Sequence, residues 1–316
     1  MQSRRLTSQD VTIKKIETKK DDIKQPELAK QENGMVIPPL GSSVLISGKS
    51  GSGKSTLLAN LLLDKRFYKG FFDKIFLFSP TANGDDIQKN LKIPAKHVFT
   101  DLEEAPELLE VILRSQQEVL EKTTADKAPQ YAIIFDDVIG DVQFMNTKEF
   151  TQCFYQVRHV CCTTFICTQH FTRVPRICRL QANFIMYFKG SMSETDILVE
   201  EFSPPELTKR QFKELVTNAT SGPFDFLTIN MKVGWDMRFR KNLDTLIVLS
   251  GNKNYAEEEV IVTNNKKEEV SQQPAQQQQH STEHGQIPIQ PTERREEQQP
   301  TCGARKRTHW QCSGKD

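Results

Sequence analysis

Residues 46–56 read Ile46-Ser47-Gly48-Lys49-Ser50-Gly51-Ser52-Gly53-Lys54-Ser55-Thr56. Gly48 through Ser55 fill every position of the pattern G-x-x-x-x-G-K-[S/T]. The apolar run Ser43 to Ser47 (SVLIS) precedes it and an amphipathic stretch, Lys54 to Phe67, comes after it, so the pattern sits between a strand and a helix. One task explains these residue types. Glycines let the backbone wrap an anion with no Cβ in the way, and successive N–H groups point inward. The start of the helix adds its partial positive charge. Gly48, Lys49, Ser50, Gly51, Ser52, Gly53 and Thr56 then form a phosphate loop. Lys54 is placed to bridge the β- and γ-phosphates of a nucleotide, and Ser55 to offer its hydroxyl to Mg²⁺. The bland alternative is a glycine-rich turn that carries a surface lysine.

Outward from this loop, short apolar runs alternate with longer amphipathic ones. Lys74 to Phe78, Ala132 to Phe135, Thr163 to Thr168 and Asn183 to Phe188 read as buried strands. Lys54 to Phe67, Pro106 to Lys122 and Lys148 to Arg158 read as the helices between them. Continuous apolar strands alternating with helices predict an α/β fold, a mostly parallel sheet covered on both faces. Asp225 to Met231 and Leu243 to Leu249 read as strands added at an edge, and Ser203-Pro204-Pro205 as a turn before a helix from Glu206 to Val216.

Two further elements carry chemistry. Tyr131-Ala132-Ile133-Ile134-Phe135-Asp136-Asp137 is an apolar strand that ends in two acids, the Walker B arrangement. Asp136 would hold Mg²⁺ through its water shell, and Asp137 would orient and polarise the attacking water. Hydrolytic motors usually carry Glu in the second place. Asp is one methylene shorter, so Asp137 must sit closer or act through a second water. Thr164-Phe165-Ile166-Cys167-Thr168-Gln169 is a strand that ends in an amide. Gln169 suits a γ-phosphate sensor, or is simply exposed. Arg158, shortly before that strand, is a candidate to reach a neighbouring subunit's γ-phosphate. Its alternative role is to cap the C-terminus of its own helix.

Composition bounds the rest. The 316 residues carry 42 Lys/Arg against 41 Asp/Glu, a net charge of +1. No global positive field attracts nucleic acid, so any such contact needs a local patch. No run of 18 apolar residues occurs, and a secretory leader is not expected. Five of the seven cysteines (Cys153, Cys161, Cys162, Cys167, Cys178) crowd one apolar stretch, which suits buried thiols in a reducing compartment. There is no CxxC pair, and His159 and His170 lack a third ligand at a suitable spacing, so no metal site of that kind is expected. Residues 1–38 read as an arm or linker and 39–251 as the folded domain. Residues 252–316, Gln-rich and almost free of large apolar side chains, read as a disordered tail. The cluster Arg305-Lys306-Arg307 within it reads as a solvated charge run, with a nuclear signal or nucleic-acid patch as the alternative.

The order of phosphate loop, strand ending in Asp-Asp, Arg-His, apolar strand and Thr-Gln resembles the FtsK/HerA superfamily of DNA-pumping ATPases. It is most similar to the poxvirus-type genome-packaging ATPases of large DNA viruses, virophages and Polinton-type elements. The residues behind this are Gly48 to Thr56, Ile133 to Asp137, and Val157-Arg158-His159 running into Phe165-Ile166-Cys167-Thr168-Gln169. Val174-Pro175, Arg179, Pro223-Phe224-Asp225-Phe226-Leu227 and Arg238-Phe239-Arg240 add to it. The resemblance covers about residues 40–250. Asn230 departs from it, standing where an acid is expected, and the Gln-rich tail has no counterpart. The resemblance implies a RecA-like P-loop core of five parallel strands in the order 5-1-4-3-2. It implies ATP and Mg²⁺ as cofactors, a homo-oligomeric ring with nucleotide between subunits, and threading of double-stranded DNA into a preformed capsid. Capsid proteins are then partners. The expected location is inside the host cell, in cytoplasm or nucleus at viral assembly sites, with virion association a further expectation.

Three rivals share the phosphate loop. A GTPase needs N-K-x-D; Asn252-Lys253-Asn254-Tyr255 lacks the acid and Asn265-Lys266-Lys267-Glu268 lies in the tail. A nucleotide or nucleoside kinase needs an arginine-bearing lid, which Arg173, Arg176 and Arg179 could imitate. Their spacing of three equally fits one helix face that is solvated or lines a DNA channel. A nucleotide-binding scaffold without turnover is disfavoured by the intact Lys54, Asp136 and Asp137.

Overall fold

The structure, a computed structural model, describes residues 23–30, 36–82 and 90–249, apart from the side chain of Arg158. Among the described residues, nine strands form one sheet. They are β1 (Ser43–Ser47), β2 (Lys74–Phe78), β3 (Val98–Phe99), β4 (Tyr131–Asp136), β5 (Cys162–Thr168), β6 (Phe184–Phe188), β7 (Phe226–Asn230), β8 (Phe239–Lys241) and β9 (Thr245–Leu246). The order is β3-β2-β4-β5-β1-β6-β7-β8-β9. β3 through β6 in that order are mutually parallel, and β7, β8 and β9 add antiparallel at one edge. The five longer parallel strands β1, β2, β4, β5 and β6, numbered among themselves, run 5-1-4-3-2, the order implied by the resemblance.

The α-helices whose whole length is described are α1 (Lys54–Leu63), α2 (Ala105–Lys122), α3 (Val142–Met145), α4 (Lys148–Tyr155), α5 (Arg176–Gln181), α6 (Met192–Phe202) and α7 (Lys209–Ala219). The alternation of side chains along each strand splits the core into two layers. Leu45, Ile133, Phe135, Ile166, Ile185 and Tyr187 face one side, where the apolar stripes of α2, α4, α6 and α7 cover them. Val44, Ile46, Ile134, Phe165, Met186 and Phe188 face the other, under Leu58, Leu61 and Leu62 of α1. Burial on both faces is why these strands carry no polar alternation. Two stretches that composition groups with the arm, 23–30 and 36–38, contribute to the second layer. Ala29 and Ile37 are buried there, and the Tyr68 hydroxyl donates to the Pro38 carbonyl. The expected disordered tail lies outside the described residues, and so does Arg305-Lys306-Arg307. Among the described residues no helix is long and apolar enough to cross a membrane.

Several boundaries differ from the sequence expectation, each for a local reason. α1 stops at Leu63 instead of reaching Phe67, because Asp64 is extended (ψ 135°) and its carboxylate accepts from the Arg66 N–H at 2.8 Å. The helix expected to reach Arg158 ends at Tyr155 and continues as a separate 3₁₀ turn, Val157–His159. The helix expected from Glu206 begins at Lys209, where Thr208 and Gln211 close a capping box. The strand expected over 243–249 shrinks to β9, and a further short strand, β8, precedes it, because Asn242 turns the chain at φ 55° between the two. α6 is an addition to the expected helices, although its capping box, Ser191 with Glu194, stands in the sequence.

Phe135 locks the first layer, with ring centroids 4.9 Å from Phe150, 5.4 Å from Phe78 and 5.9 Å from Phe144. Phe135→Ala is expected to destabilise the domain by about 3–5 kcal/mol, because the cavity left under α4 cannot collapse onto a rigid strand. A urea midpoint within experimental error of wild type would contradict this packing.

Candidate functional site

Three neighbouring parallel strands bring the predicted residues together. In register, Ser47 of β1 lies beside Thr168 of β5, and Cys167 of β5 beside Asp136 of β4. Beyond these ends the chains stay tied: the Gly48 N–H donates to the Thr168 carbonyl and the Asp137 N–H to the Cys167 carbonyl, both at 3.1 Å. The phosphate loop, Gln169 and the two acids therefore leave the sheet side by side, at the carboxyl edge where open α/β sheets bind ligands. The cleft there holds about 360 Å³ and is lined by Ser50, Gly51, Gly53, Lys54, Ser55, Thr56, Asp136, Asp137 and Gln169, with Thr81, Cys167 and Phe224.

The loop's local structure is set by its glycines. A Cβ built on Gly48 would stand 2.5 Å from the Cβ of Phe188, so only glycine lets the loop cross the end of β6. Gly53 has φ +99°, a left-handed conformation that frees the N–H groups at the start of α1. Lys54 is half-buried. Its Nζ donates to the carbonyls of Gly48 (2.7 Å) and Lys49 (2.9 Å), which holds the ammonium across the loop. Burial pushes its pKa below the ordinary lysine value, and the neighbouring Cys167, Asp136 and Asp137 pull it back up. The lysine thus faces both acids. Asp136 is buried at the end of β4. Asp137 has φ 52° and ψ 30°, a left-handed backbone that few non-glycine residues adopt, and one that re-aims its carboxylate from the sheet edge into the cleft. The oxygen set fits hydrated Mg²⁺: the Ser55 hydroxyl is a hard oxygen donor for the ion, and the Asp136 carboxylate can accept from its water shell. The cradle of N–H groups with its half-buried ammonium likewise fits a polyphosphate.

The backbone of Arg158 stands apart from this cluster. It stands in the turn before β5, at the amino end of a seven-residue strand whose carboxyl end carries Gln169. At about 3.3 Å per residue, β5 separates the two by roughly 20 Å. Three cleft residues go beyond the sequence expectation. Thr81 comes after β2, with its hydroxyl 3.2 Å from that of Ser79. Cys167 lies buried between the acids and the loop, and Phe224 precedes β7. The arginine series also departs from the expected helix face: Arg179 is buried, gripping Glu201 at 2.8 and 2.6 Å and donating to the carbonyls of Thr172 and Val174. It fastens α5 to α6 and is not solvated.

The chain is similar to the genome packaging NTPase B204 from Sulfolobus turreted icosahedral virus 2 in complex with AMP. The two are 15% identical, over 63% of this chain and 96% of that one, with a TM-score of 0.46. It is similar to B204, the DNA-packaging ATPase from Sulfolobus turreted icosahedral virus, at 16% identity over 61% and 94%, with a TM-score of 0.44. EssC (ATPases 2 and 3) from Geobacillus thermodenitrificans gives 15% identity over 60% and 38%, with a TM-score of 0.42. No curated protein matches the chain. The profile of the family described as Poxvirus A32 protein matches residues 42–218, from the start of β1 to the end of α7. That span is more than half of the 316 residues and contains the loop, both acids, Arg158 and Gln169, and the chain belongs to the poxvirus A32 protein family.

Proposed function

We propose that this chain is an ATP-hydrolysing motor that drives viral double-stranded DNA into a preformed capsid, working as a homo-oligomeric ring docked on capsid proteins. The observation that carries the reading is the convergence of Lys54, Asp136, Asp137 and Gln169 at the carboxyl edge of β4, β5 and β1, within a chain of the A32 family. In this reading the loop N–H groups and Lys54 bind the β- and γ-phosphates and offset the charge that develops on them. Ser55 and Asp136 hold Mg²⁺, which supplies Lewis-acid neutralisation of the phosphate oxygens when bound. Asp137 orients the attacking water and accepts its proton. Gln169 hydrogen-bonds the γ-phosphate and passes its loss to the loop beyond β5. Arg179, committed to Glu201, is not free to serve as a kinase lid, which weighs against phosphoryl transfer to a second substrate.

Translocation is tested by ATP-dependent displacement of a triplex-forming oligonucleotide from linear double-stranded DNA. Displacement by wild type but not by Lys54→Ala is expected. ATP hydrolysis without displacement on any duplex would contradict the motor.

Arg158 is proposed as an arginine finger that acts on the neighbouring subunit, since its own cleft lies across the sheet. Arg158→Ala and Asp137→Asn are each expected to bind ATP and hydrolyse it poorly. Mixed rings contain some interfaces with both residues intact, and these should recover part of the turnover, because such a finger contributes about 10³-fold or more. Co-assembly with no recovery would assign Arg158 to its own subunit.

A further inference from the structure

A second cavity, of about 880 Å³, opens beside the phosphate cleft. Gly53, Thr56 and Phe224 line both, so the two spaces adjoin at the first turn of α1. The first is polar. The second is walled largely by apolar groups, among them Phe188, Phe224 and Leu57, with Asn60 and Arg240 at its polar edge.

Phe224 is the unusual feature of this wall. It is 69% exposed, an aromatic ring presented to solvent where the neighbouring Phe188 and Phe226 are buried. Its backbone lies at φ 65°, a left-handed conformation that costs an aromatic residue energy and persists only when the surroundings enforce it. The enforcement is visible. Asp225 accepts from the Gly222 N–H at 3.0 Å and from Asn242 Nδ2 at 3.2 Å, and pairs with Lys241 at 2.8 Å. The hydrogen bond from Lys241 holds the Asp225 carboxyl below the usual aspartate range, so this clamp is ionised at neutral pH. The turn thereby sets the Phe224 ring against the phosphate loop: a Cβ built on Gly53 would stand 3.4 Å from Phe224 Cδ1.

We propose that this cavity receives the base and ribose of the bound nucleotide, and that Phe224 is the platform on which a purine stacks. The shared wall of the two spaces points to the occupant. A polyphosphate seated on the loop must lead its α-phosphate past Thr56, and the nucleoside attached to that phosphate then enters the space that Phe224 and Thr56 share. An exposed ring on a clamped backbone turn there offers a π-face to a base. A purine makes fuller overlap than a pyrimidine. Phe224 is then a binding residue that stabilises ground and transition states alike, outside the chemistry of Lys54 and Asp137.

This inference rests on the phosphate loop holding nucleotide, and the test separates the two. Binding of Mg·ATP and of Mg·tripolyphosphate, which has no base, is measured on wild type, Phe224→Ala, Phe224→Trp and Lys54→Ala. Phe224→Ala is expected to weaken ATP by about tenfold while leaving tripolyphosphate unchanged, since stacked bases contribute on that scale. Phe224→Trp should restore ATP affinity, with tryptophan emission that responds to ATP and not to tripolyphosphate. Lys54→Ala should weaken both ligands. Equal losses of both in Phe224→Ala, or no loss of either, would overturn the base platform and leave the loop standing. Wild type that binds neither ligand would overturn the loop assignment itself.

Discussion

Lys54→Ala is expected to lower ATP turnover by about two orders of magnitude or more, with the fold unchanged. Lys54 Nζ reaches across the loop to the carbonyls of Gly48 and Lys49, at the first residue of α1 and outside the two buried layers. Its removal therefore takes away charge at the β- and γ-phosphates and leaves the strand–loop–helix intact. Gly48 remains pinned to Thr168 and under Phe188, and the apolar face of α1 still buries Leu58, Leu61 and Leu62. An unchanged melting temperature with lost turnover is the expected pair of results. Normal turnover in Lys54→Ala would remove the basis of the phosphate site.

Asp137→Asn is expected to keep nucleotide binding and to lose hydrolysis by about 10²–10⁴-fold, the range for a removed general base. Asparagine is the apt replacement for a structural reason. Asp137 sits at φ 52°, and asparagine is among the few residues that accept this conformation readily. The carboxylate is then replaced by a group of its own shape with no backbone penalty, and the readout is the charge alone. Asp136→Ala should differ: it removes the carboxylate proposed to hold Mg²⁺ at the end of β4, so the Mg²⁺ dependence of activity disappears together with the activity. Retained hydrolysis in Asp137→Asn would assign the base to another group, with Asp136 the remaining carboxylate that lines the cleft.

The central strands and the motifs at their ends can be read from the sequence. Strands buried on both faces announce themselves as continuous apolar runs, and β1 and β2 fall where SVLIS and KIFLF place them. The loop, the paired acids and Gln169 each sit at a strand end, which the sequence shows directly. Features that depend on partners far along the chain are hidden. Arg179 looks like a solvated helix residue until Glu201, on the next helix beyond β6, closes on it. Thr81, Cys167 and Phe224 reach the cleft from three separate strand ends, and no spacing links them to residues 48–56. The break between β8 and β9 rests on a single positive φ at Asn242, which composition does not reveal. The starts of α6 and α7 are legible in principle, since Ser191 with Glu194 and Thr208 with Gln211 both form the S/T-x-x-E/Q pattern.

The central claim is that hydrolysis in this cleft serves movement along DNA. It is tested most directly by steady-state phosphate release from ATP, with and without linear double-stranded DNA and with no other phosphoryl acceptor present. Release that proceeds without an acceptor, rises severalfold when duplex is added and vanishes in Lys54→Ala is the expected result. Release that is indifferent to duplex, or that occurs only when a nucleoside or nucleotide acceptor is supplied, would contradict a DNA motor.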